Sequence, residues 1–193
     1  MSPSDINPAV ENPEGAAVDT AQRILEAARR VFAEKGFEAA SLREIAEEAR
    51  VSKALVLWYF KSKEELVKRI AMESLPTGVA AACIDRGLRG SELVACIIDT
   101  FLDRYRSETQ RRLLIHSLSL ALRSPEIARE LRELCRRMTI EVAERAYGSR
   151  TPRDMARARS LFGALLCHAI SPVEEMGVEE LRRALVELFS PAT

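Results

Sequence analysis

The segment from Ser41 to Lys63, SLREIAEEARVSKALVLWYFKSK, constrains the fold of this chain more than any other part of it. At its start, apolar residues recur at the i, i+3, i+4 and i+7 spacing that puts them on one helix face: Leu42, Ile45, Ala46 and Ala49. Two turns of helix are too short to be stable alone, so this helix needs neighbours. The segment therefore predicts a short helix inside a small helical unit.

Serine residues mark three successive helix starts. Ser41 and Glu44 form a capping box, in which each side chain accepts a hydrogen bond from a backbone N–H of the other's turn. Ser52 marks a second start, and Ser62 marks a third. The pattern predicts two short helices joined by a tight turn, with another helix following at once.

The second of these helices should have an inner and an outer face. Val56 and Phe60, four residues apart, can pack inward on the first helix. The outer face then carries Lys53, Ala54, Leu55, Leu57 and Trp58. A DNA major groove would contact that face. Lys61 and Lys63 lie beside the next helix start, where ammonium groups suit phosphates better than bases.

A longer amphipathic stripe precedes this segment, beginning near Thr20 and stopping at Gly36, a residue suited to a helix C terminus. Its apolar members can cover the two short helices: Ala21, Ile24, Leu25, Ala28, Val31 and Phe32. The first nineteen residues lack periodicity and contain neither lysine nor arginine. We predict that they form a flexible tail and not an arm for the minor groove.

In order and spacing, this region resembles the TetR family of bacterial one-component transcriptional regulators over about fifty residues. The matching residues are Thr20, Ile24, Leu25, Ala27, Ala28, Phe32, Gly36, Phe37, Ser41, Ile45, Ala46, Ala49, Val51, Ser52, Lys53, Tyr59, Phe60, Ser62, Lys63, Glu64 and Leu66. The resemblance implies an all-α fold with a helix-turn-helix DNA-binding domain over 20–66. A larger helical domain for effector binding and dimerisation would follow over 67–193.

The resemblance also implies a function and a set of DNA contacts. We expect a ligand-responsive regulator, most often a repressor, that binds a palindromic operator in double-stranded DNA as a homodimer and is released by a small hydrophobic effector. The expected DNA-binding residues are Ser41, Arg43, Ser52, Lys53, Ala54, Leu55, Leu57, Trp58, Tyr59 and Lys63.

Three positions depart from the family pattern. Arg50 stands where the family usually has a glycine in the turn, and a positive φ there would cost a non-glycine residue about 1 kcal/mol. Leu55 and Leu57 replace a threonine and a tyrosine that would donate to phosphate. Leucine can contact the methyl group of thymine but offers nothing to guanine, so we expect T-rich half-sites read by Lys53, Arg43 and apolar contacts.

Two alternatives remain open on the sequence. The region could be a helical packing unit in which Leu55, Leu57 and Trp58 are buried. It could also belong to a TetR-like dimer that has lost specific DNA binding and acts through protein–protein contacts. Burial of these three side chains would favour the packing unit, and their exposure would favour a surface that contacts DNA or another protein. An enzyme is not expected, because the chain lacks Gly-x-Gly-x-x-Gly, Gly-x-Ser-x-Gly and His-Glu-x-x-His motifs.

Charge and hydropathy set the class of protein. The chain has 29 basic and 29 acidic residues and hence no net charge, which suits a few placed phosphate contacts better than a coat on DNA. It contains no export signal and no long apolar run, so we expect a cytoplasmic protein without membrane contact.

Beyond residue 70, apolar periodicity predicts further helices. Three faces stand out: Leu93, Val94, Ile97, Ile98, Phe101, Leu102 and Tyr105; Leu113, Leu114, Leu118, Ala121 and Leu122; and Ile127, Leu131, Leu134, Met138, Val142 and Ala146. The last two helices, over 152–170 and 178–189, are the candidates for a four-helix dimer interface, or they close the monomer core.

Candidate effector contacts are residues that suit an apolar pocket with a few polar groups: Phe101, Tyr105, His116, Cys135, Met138 and Phe162. Such a pocket favours a neutral or weakly polar hydrophobic ligand, although an anionic head group could be served by Arg104, Arg106, Arg111 and Arg112. The two histidines are too isolated for a metal site, and neither a metal nor a cofactor is predicted. We expect all four cysteines to be buried, reduced thiols, with a redox pair as the less favoured alternative.

Overall fold

The computed structural model describes residues 13–171 and 176–191, and these ranges contain helices and no strand. The prediction of an all-α fold is therefore confirmed. The chain divides into two compact units, and the boundary between Leu66 and Val67 falls inside the fourth helix. None of the described helices is long and apolar enough to cross a membrane.

The first unit contains α1 (Pro13–Ala39), α2 (Leu42–Ala49), α3 (Lys53–Phe60) and the start of α4 (Lys63–Glu73). Its helices α1 and α2 pack together, as do α2 and α3. The predicted stripes supply its core, in which the fully buried side chains include Ile24, Phe32, Ile45, Val56 and Leu66. Regular helix geometry in α1 is interrupted at Gly36, whose φ of 79° lies in a region that glycine adopts readily.

The beginning of α1 differs from the sequence-based expectation. This helix begins at Pro13 and not near Thr20, so the last seven residues of the expected flexible tail are helical. The rest of that tail, residues 1–12, lies outside the described residues. The stretch 13–19 has no apolar stripe of its own, which is why periodicity did not reveal it.

The second unit contains the remainder of α4 and six further helices: α5 (Thr77–Asp85), α6 (Gly90–Arg104), α7 (Glu108–Arg123), α8 (Pro125–Tyr147), α9 (Pro152–Ile170) and α10 (Val178–Phe189). Helix α6 packs against α5, α8, α9 and α10. Its first predicted face forms the centre of the core, where Leu93, Ile97 and Phe101 are fully buried. Leu122 on α7 is an exception to the expected faces, since 90% of it is exposed.

The expected state of the cysteines is wrong for three of the four. Cys83 on α5 and Cys96 on α6 are joined by a disulfide, and Cys167 is exposed. Cys135 is a half-buried free thiol whose pKa burial raises. Periodicity placed Cys83 and Cys96 on apolar helix faces correctly, but it could not show that the two faces meet.

Candidate DNA-binding surface and effector cavity

Helices α2 and α3 are set by the capping interactions that the sequence predicts. The Ser41 hydroxyl accepts from the Glu44 backbone N–H at 3.3 Å, and the Glu44 carboxylate accepts from the Ser41 N–H at 2.8 Å. The Ser52 hydroxyl accepts from the Leu55 N–H at 3.1 Å and so begins α3. Each pair satisfies backbone donors that a helix start leaves unpaired, which fixes where α2 and α3 begin.

The turn between α2 and α3 has the left-handed backbone conformation that glycine usually supplies, although Arg50 occupies the position. Arg50 has φ 55° and ψ 46°, the left-handed region, and its N–H donates to the Ala46 and Glu47 carbonyls. The Arg23 guanidinium of α1 donates to the Ala49 carbonyl at 2.9 Å and holds the same end of α2. A second non-glycine residue with positive φ, Lys61 at 52°, follows α3 and had no signal in the sequence.

The outer face of α3 is exposed within its unit. Trp58 is 71% exposed and Leu57 is 36% exposed, while Val56 and Phe60 on the opposite face are buried. Ser52, Lys53 and Ala54 are also exposed, and Leu55 and Tyr59 are half-buried. The Trp58 and Tyr59 rings meet edge to face with centroids 4.7 Å apart. These exposures do not fit the alternative in which Leu57 and Trp58 are core residues.

The charged residues of the predicted site differ in their partners. The Arg43 guanidinium pairs with the Glu47 carboxylate at 2.8 Å on the exposed side of α2. The Lys63 ammonium donates to the Glu38 carbonyl at 2.8 Å. Lys53 makes no hydrogen bond or ion pair with any residue in 13–171 or 176–191. Of the three basic residues predicted to bind DNA, Lys53 is therefore the one without a competing contact in these ranges.

Electrostatic pairing also stabilises the beginning of α2. The Glu44 carboxylate forms an ion pair with the Lys35 ammonium at 2.5 Å and accepts from Ser41. Hydrogen bonds from Lys35 and Ser41 lower the pKa of Glu44 to about 2. Glu44 is thus ionised at neutral pH, which suits a carboxylate near a helix N terminus.

In the second unit, a cavity of about 200 Å³ lies at the C-terminal ends of α6 and α9. It is lined by Phe101, Leu102, Tyr105, Arg106, Arg111, His168, Ala169, Met176 and Val178. Apolar side chains form most of the wall, and two arginines and a histidine supply polar groups. Of the six predicted effector residues, Phe101 and Tyr105 line this cavity.

The other four predicted effector residues lie elsewhere. Met138 lines a more open depression beside α5, Phe162 is buried in the core, and His116 and Cys135 are half-buried. The prediction missed His168, Ala169, Met176 and Val178 as wall residues. No sequence signal marks them, because they reach the cavity only through the packing of α9 and α10 beside α6.

Polar groups around the cavity are held by specific contacts. Arg111 donates to the carbonyls of Tyr105 at 3.1 Å and Arg106 at 2.8 Å. Burial, with a smaller effect of Arg111, lowers the pKa of His168, so its ring is neutral at pH 7. Its Nδ1 is buried without a partner among the described residues. A neutral imidazole can donate or accept a hydrogen bond, which makes His168 available to a bound molecule.

Tyr105 connects this cavity to the end of α4. Its ring packs on Phe101 with centroids 4.4 Å apart, and its hydroxyl donates to the Ser74 carbonyl at 2.8 Å. Burial raises the pKa of Tyr105 to about 12, so the phenol keeps its proton. The neighbouring Arg104 donates to the Glu73 carbonyl, and the two side chains together hold the C-terminal end of α4.

Comparison with known proteins agrees with the helical arrangement. Residues 24–70 match the family model of bacterial regulatory proteins, tetR family. The HTH-type transcriptional regulator UidR of Escherichia coli K12 is 27% identical over 137 residues, which are 70% of this chain and 69% of UidR. The HTH-type nicotine-responsive transcriptional repressor HdnoR of Paenarthrobacter nicotinovorans is 41% identical over 88 residues, 46% of this chain and 44% of HdnoR.

A solved structure, Salmonella enterica GusR, superposes with a TM-score of 0.69 and 25% identity, covering 95% of this chain and 99% of GusR. These relatives are regulators and not enzymes, which confirms the prediction that the chain is not an enzyme. The matched segment contains α2, its turn and α3, the elements whose outer face is exposed. The chain is a DNA-binding transcriptional regulator whose residues 24–70 belong to the TetR family.

Proposed function

We propose that this regulator is a cytoplasmic repressor that binds a palindromic operator as a homodimer and is released by a small, largely hydrophobic effector. The observation that carries this proposal is the uncovered outer face of α3, which pairs an unengaged cation, Lys53, with the exposed side chains of Leu57 and Trp58. A helix with that face can enter a major groove.

The proposed contacts divide by chemistry. Leu57 and Trp58 offer apolar surface to thymine methyl groups, and Lys53 can donate to acceptors on base edges. The hydroxyls of Ser41 and Ser52 and the ammonium of Lys63 would bind phosphates and fix the position of the protein on the duplex. Because Arg43 is paired with Glu47, its contact with DNA requires that exposed ion pair to open, which costs little because water screens both charges.

The proposed dimer interface lies on α9 and α10. On α9, Gly163, Cys167 and Ile170 are exposed at helical spacing, and on α10 Ala184 and Leu188 are exposed. Small residues allow close approach of helices, and Leu188 is 68% exposed although it is apolar. Two copies of this helix pair can form a four-helix interface whose twofold axis matches a palindromic operator.

The proposed effector site is the cavity beside Phe101 and Tyr105. Its walls suit an apolar body, and His168 and Arg106 suit a hydrogen-bond acceptor at one end. An occupant that moves Tyr105 would act on the Ser74 carbonyl and hence on the end of α4. Helix α4 is continuous from Lys63 to Glu73, so it connects the unit that contains the cavity to the segment that follows α3.

Release then follows from population shift. An effector lowers operator affinity only by the ratio of its affinities for the two conformations of the dimer. HdnoR is by name a nicotine-responsive transcriptional repressor, which supports both ligand response and repression in a relative of this chain.

The test is binding of the purified protein to DNA upstream of its own gene and to scrambled DNA across a salt series. We expect preference for the upstream DNA, a steep salt slope, and two chains per site. Weak binding without preference would contradict the proposal and favour the alternative in which Leu57 and Trp58 contact another protein. Binding by a single chain would contradict only the dimer.

A further inference from the structure

The disulfide between Cys83 and Cys96 bridges α5 and α6, with Cα atoms 6.0 Å apart and a sequence separation of 13. Disulfides are rare in cytosolic proteins of mesophiles, where those that occur are usually catalytic or redox-sensing. Given the cytoplasmic location proposed above, on which this inference rests, we propose that Cys83 and Cys96 form a reversible thiol–disulfide site that hydroperoxides oxidise.

The two cysteines are not equivalent. Cys96 is 8% exposed and Cys83 is 1% exposed, so only Cys96 borders solvent. Nη1 of Arg86 lies 3.3 Å from the sulfur of Cys96. In the reduced protein, a guanidinium at that position favours the thiolate, which is the reactive form of cysteine. Cys96 is therefore the cysteine that reacts with peroxide, and Cys83 is the one that completes the disulfide.

The reaction balances with one hydroperoxide and two thiols. The Cys96 thiolate attacks the terminal oxygen of the hydroperoxide, so an S–O bond forms, the O–O bond breaks, and the leaving oxyanion takes a proton to become water or an alcohol. The Cys83 thiolate then attacks the sulfur of the Cys96 sulfenic acid. The S–S bond forms, the S–O bond breaks, and hydroxide leaves as water with the proton that Cys83 released.

A hydroxyl group also lies beside both sulfurs. Thr100, one turn after Cys96 on α6, has Oγ1 at 3.6 Å from the sulfur of Cys83 and 3.9 Å from the sulfur of Cys96. A threonine hydroxyl rotates freely and can donate to whichever sulfur carries the negative charge. Arg86 and Thr100 thus give the pair a polar neighbourhood that an inert buried cysteine lacks.

Oxidation changes how firmly α5 is held on α6. Helix α5 is a short helix of nine residues, and its N-cap residue, Pro76, makes no side-chain capping hydrogen bond. Helix α6 also supplies Phe101 and Leu102 to the cavity, and Tyr105 follows as its C-cap. The disulfide therefore fixes a weakly capped helix on the element that forms the cavity wall, and its reduction frees that helix to open locally.

The experiment uses the full chain carrying Cys135→Ser and Cys167→Ser, so that Cys83 and Cys96 are the only thiols. The reduced protein is treated with one equivalent of hydrogen peroxide and followed by intact mass and by amide hydrogen exchange. We expect a loss of about 2 Da without a disulfide bond between chains, full reversal by dithiothreitol under native conditions, and at least about tenfold slower exchange in α5 after oxidation. Exchange in α2 serves as the internal control.

Single variants in the same background separate the roles of the two cysteines. Cys83→Ser should stop at a Cys96 sulfenic acid that dimedone traps, while Cys96→Ser should react at least about tenfold more slowly. Arg86→Gln should slow oxidation of Cys96 several-fold, and Arg89→Gln, which changes an exposed arginine in the same connection between α5 and α6, should not. A bond that dithiothreitol cannot reduce in the native protein, or equal rates for the two cysteine variants, would overturn the proposal whether or not the protein binds an operator.

Discussion

The hydroxyl of Tyr105 donates a hydrogen bond of 2.8 Å to the backbone carbonyl of Ser74, just beyond the C-terminal end of α4. Both residues are buried, so this carbonyl has no ready replacement donor in water. The same tyrosine lines the cavity. One side chain therefore connects the cavity wall with the end of the helix that leads to the DNA-binding unit.

Replacing Tyr105 by phenylalanine should destabilise the protein by about 1–2 kcal/mol, because the Ser74 carbonyl would stay buried without its donor. Urea unfolding followed by circular dichroism measures the change. Tyr147→Phe is the matched control: the Tyr147 hydroxyl is buried without a partner among the described residues, so its removal should cost nothing. Equal losses in both variants would show that the hydrogen bond to Ser74 contributes no stability.

The ion pair of Glu44 predicts a specific loss of stability in acid. The pKa of Glu44 is lowered from 4.5 to about 2, chiefly by the hydrogen bond from Lys35, so the folded state binds a proton less readily than the unfolded state. This contribution is complete above about pH 5 and is lost as the pH falls from 4.5 toward 2.

Glu44→Gln should therefore lower stability at pH 7 and flatten its decline between these pH values. Urea midpoints measured from pH 7 to pH 3 test the prediction. Glu34→Gln, which removes an exposed carboxylate on α1 with no ion pair to a described residue, is the control. A decline that is as steep in Glu44→Gln as in the unmodified protein would refute the assignment.

Local chemistry determined which features could be predicted from the sequence. The starts of α2 and α3 follow from capping by Ser41 and Ser52, which act within one turn, and the expected ranges 152–170 and 178–189 coincide with α9 and α10. The positive φ at Lys61 has no such local signal. The Cys83–Cys96 bond and the cavity depend on how α5, α9 and α10 pack around α6, which a one-dimensional pattern does not contain.

The left-handed conformation of Arg50 predicts a stabilising substitution. Glycine adopts φ 55° without the steric cost that a side chain carries, so Arg50→Gly should raise the free energy of unfolding by up to about 1 kcal/mol. Arg43→Gly, inside α2, should instead lower it by about 1 kcal/mol. If Arg50 also contacts a phosphate, the stabilised variant should bind DNA with a shallower salt slope. A destabilised Arg50→Gly protein would contradict the expected backbone strain.

Lys53 and Lys63 should differ in what their removal does to DNA binding. Lys53→Ala should reduce the preference for operator over scrambled DNA, because its free ammonium faces outward on α3. Lys63→Ala should weaken binding to all sequences alike and lower the salt slope by about 1. A change in the fluorescence of Trp58, the sole tryptophan, provides a direct signal of DNA binding. Equal loss on operator and scrambled DNA for both variants would undo the division between reading and positioning contacts.

The dimer interface can be tested at Gly163, because this residue is exposed on α9 and a Cβ added there meets no atom within 4 Å. Gly163→Ala should therefore fold at least as well as the unmodified chain, since alanine is favoured over glycine inside a helix by about 1 kcal/mol. Gly163→Arg adds length and charge where the partner chain is proposed to pack. Light scattering should then give the monomer mass of 21.5 kDa for Gly163→Arg and twice that mass for Gly163→Ala.

The two Gly163 variants should also differ in operator binding. Because a palindromic operator is bound by two chains, the Gly163→Arg monomer should bind each half-site independently. It should then lose the gain in affinity that comes from binding both half-sites at once, which is about a hundredfold or more for linked sites. Its circular dichroism spectrum should remain that of the folded chain. A Gly163→Arg protein that stays dimeric would place the interface on other exposed apolar residues, such as Ile115 and Leu122 on α7.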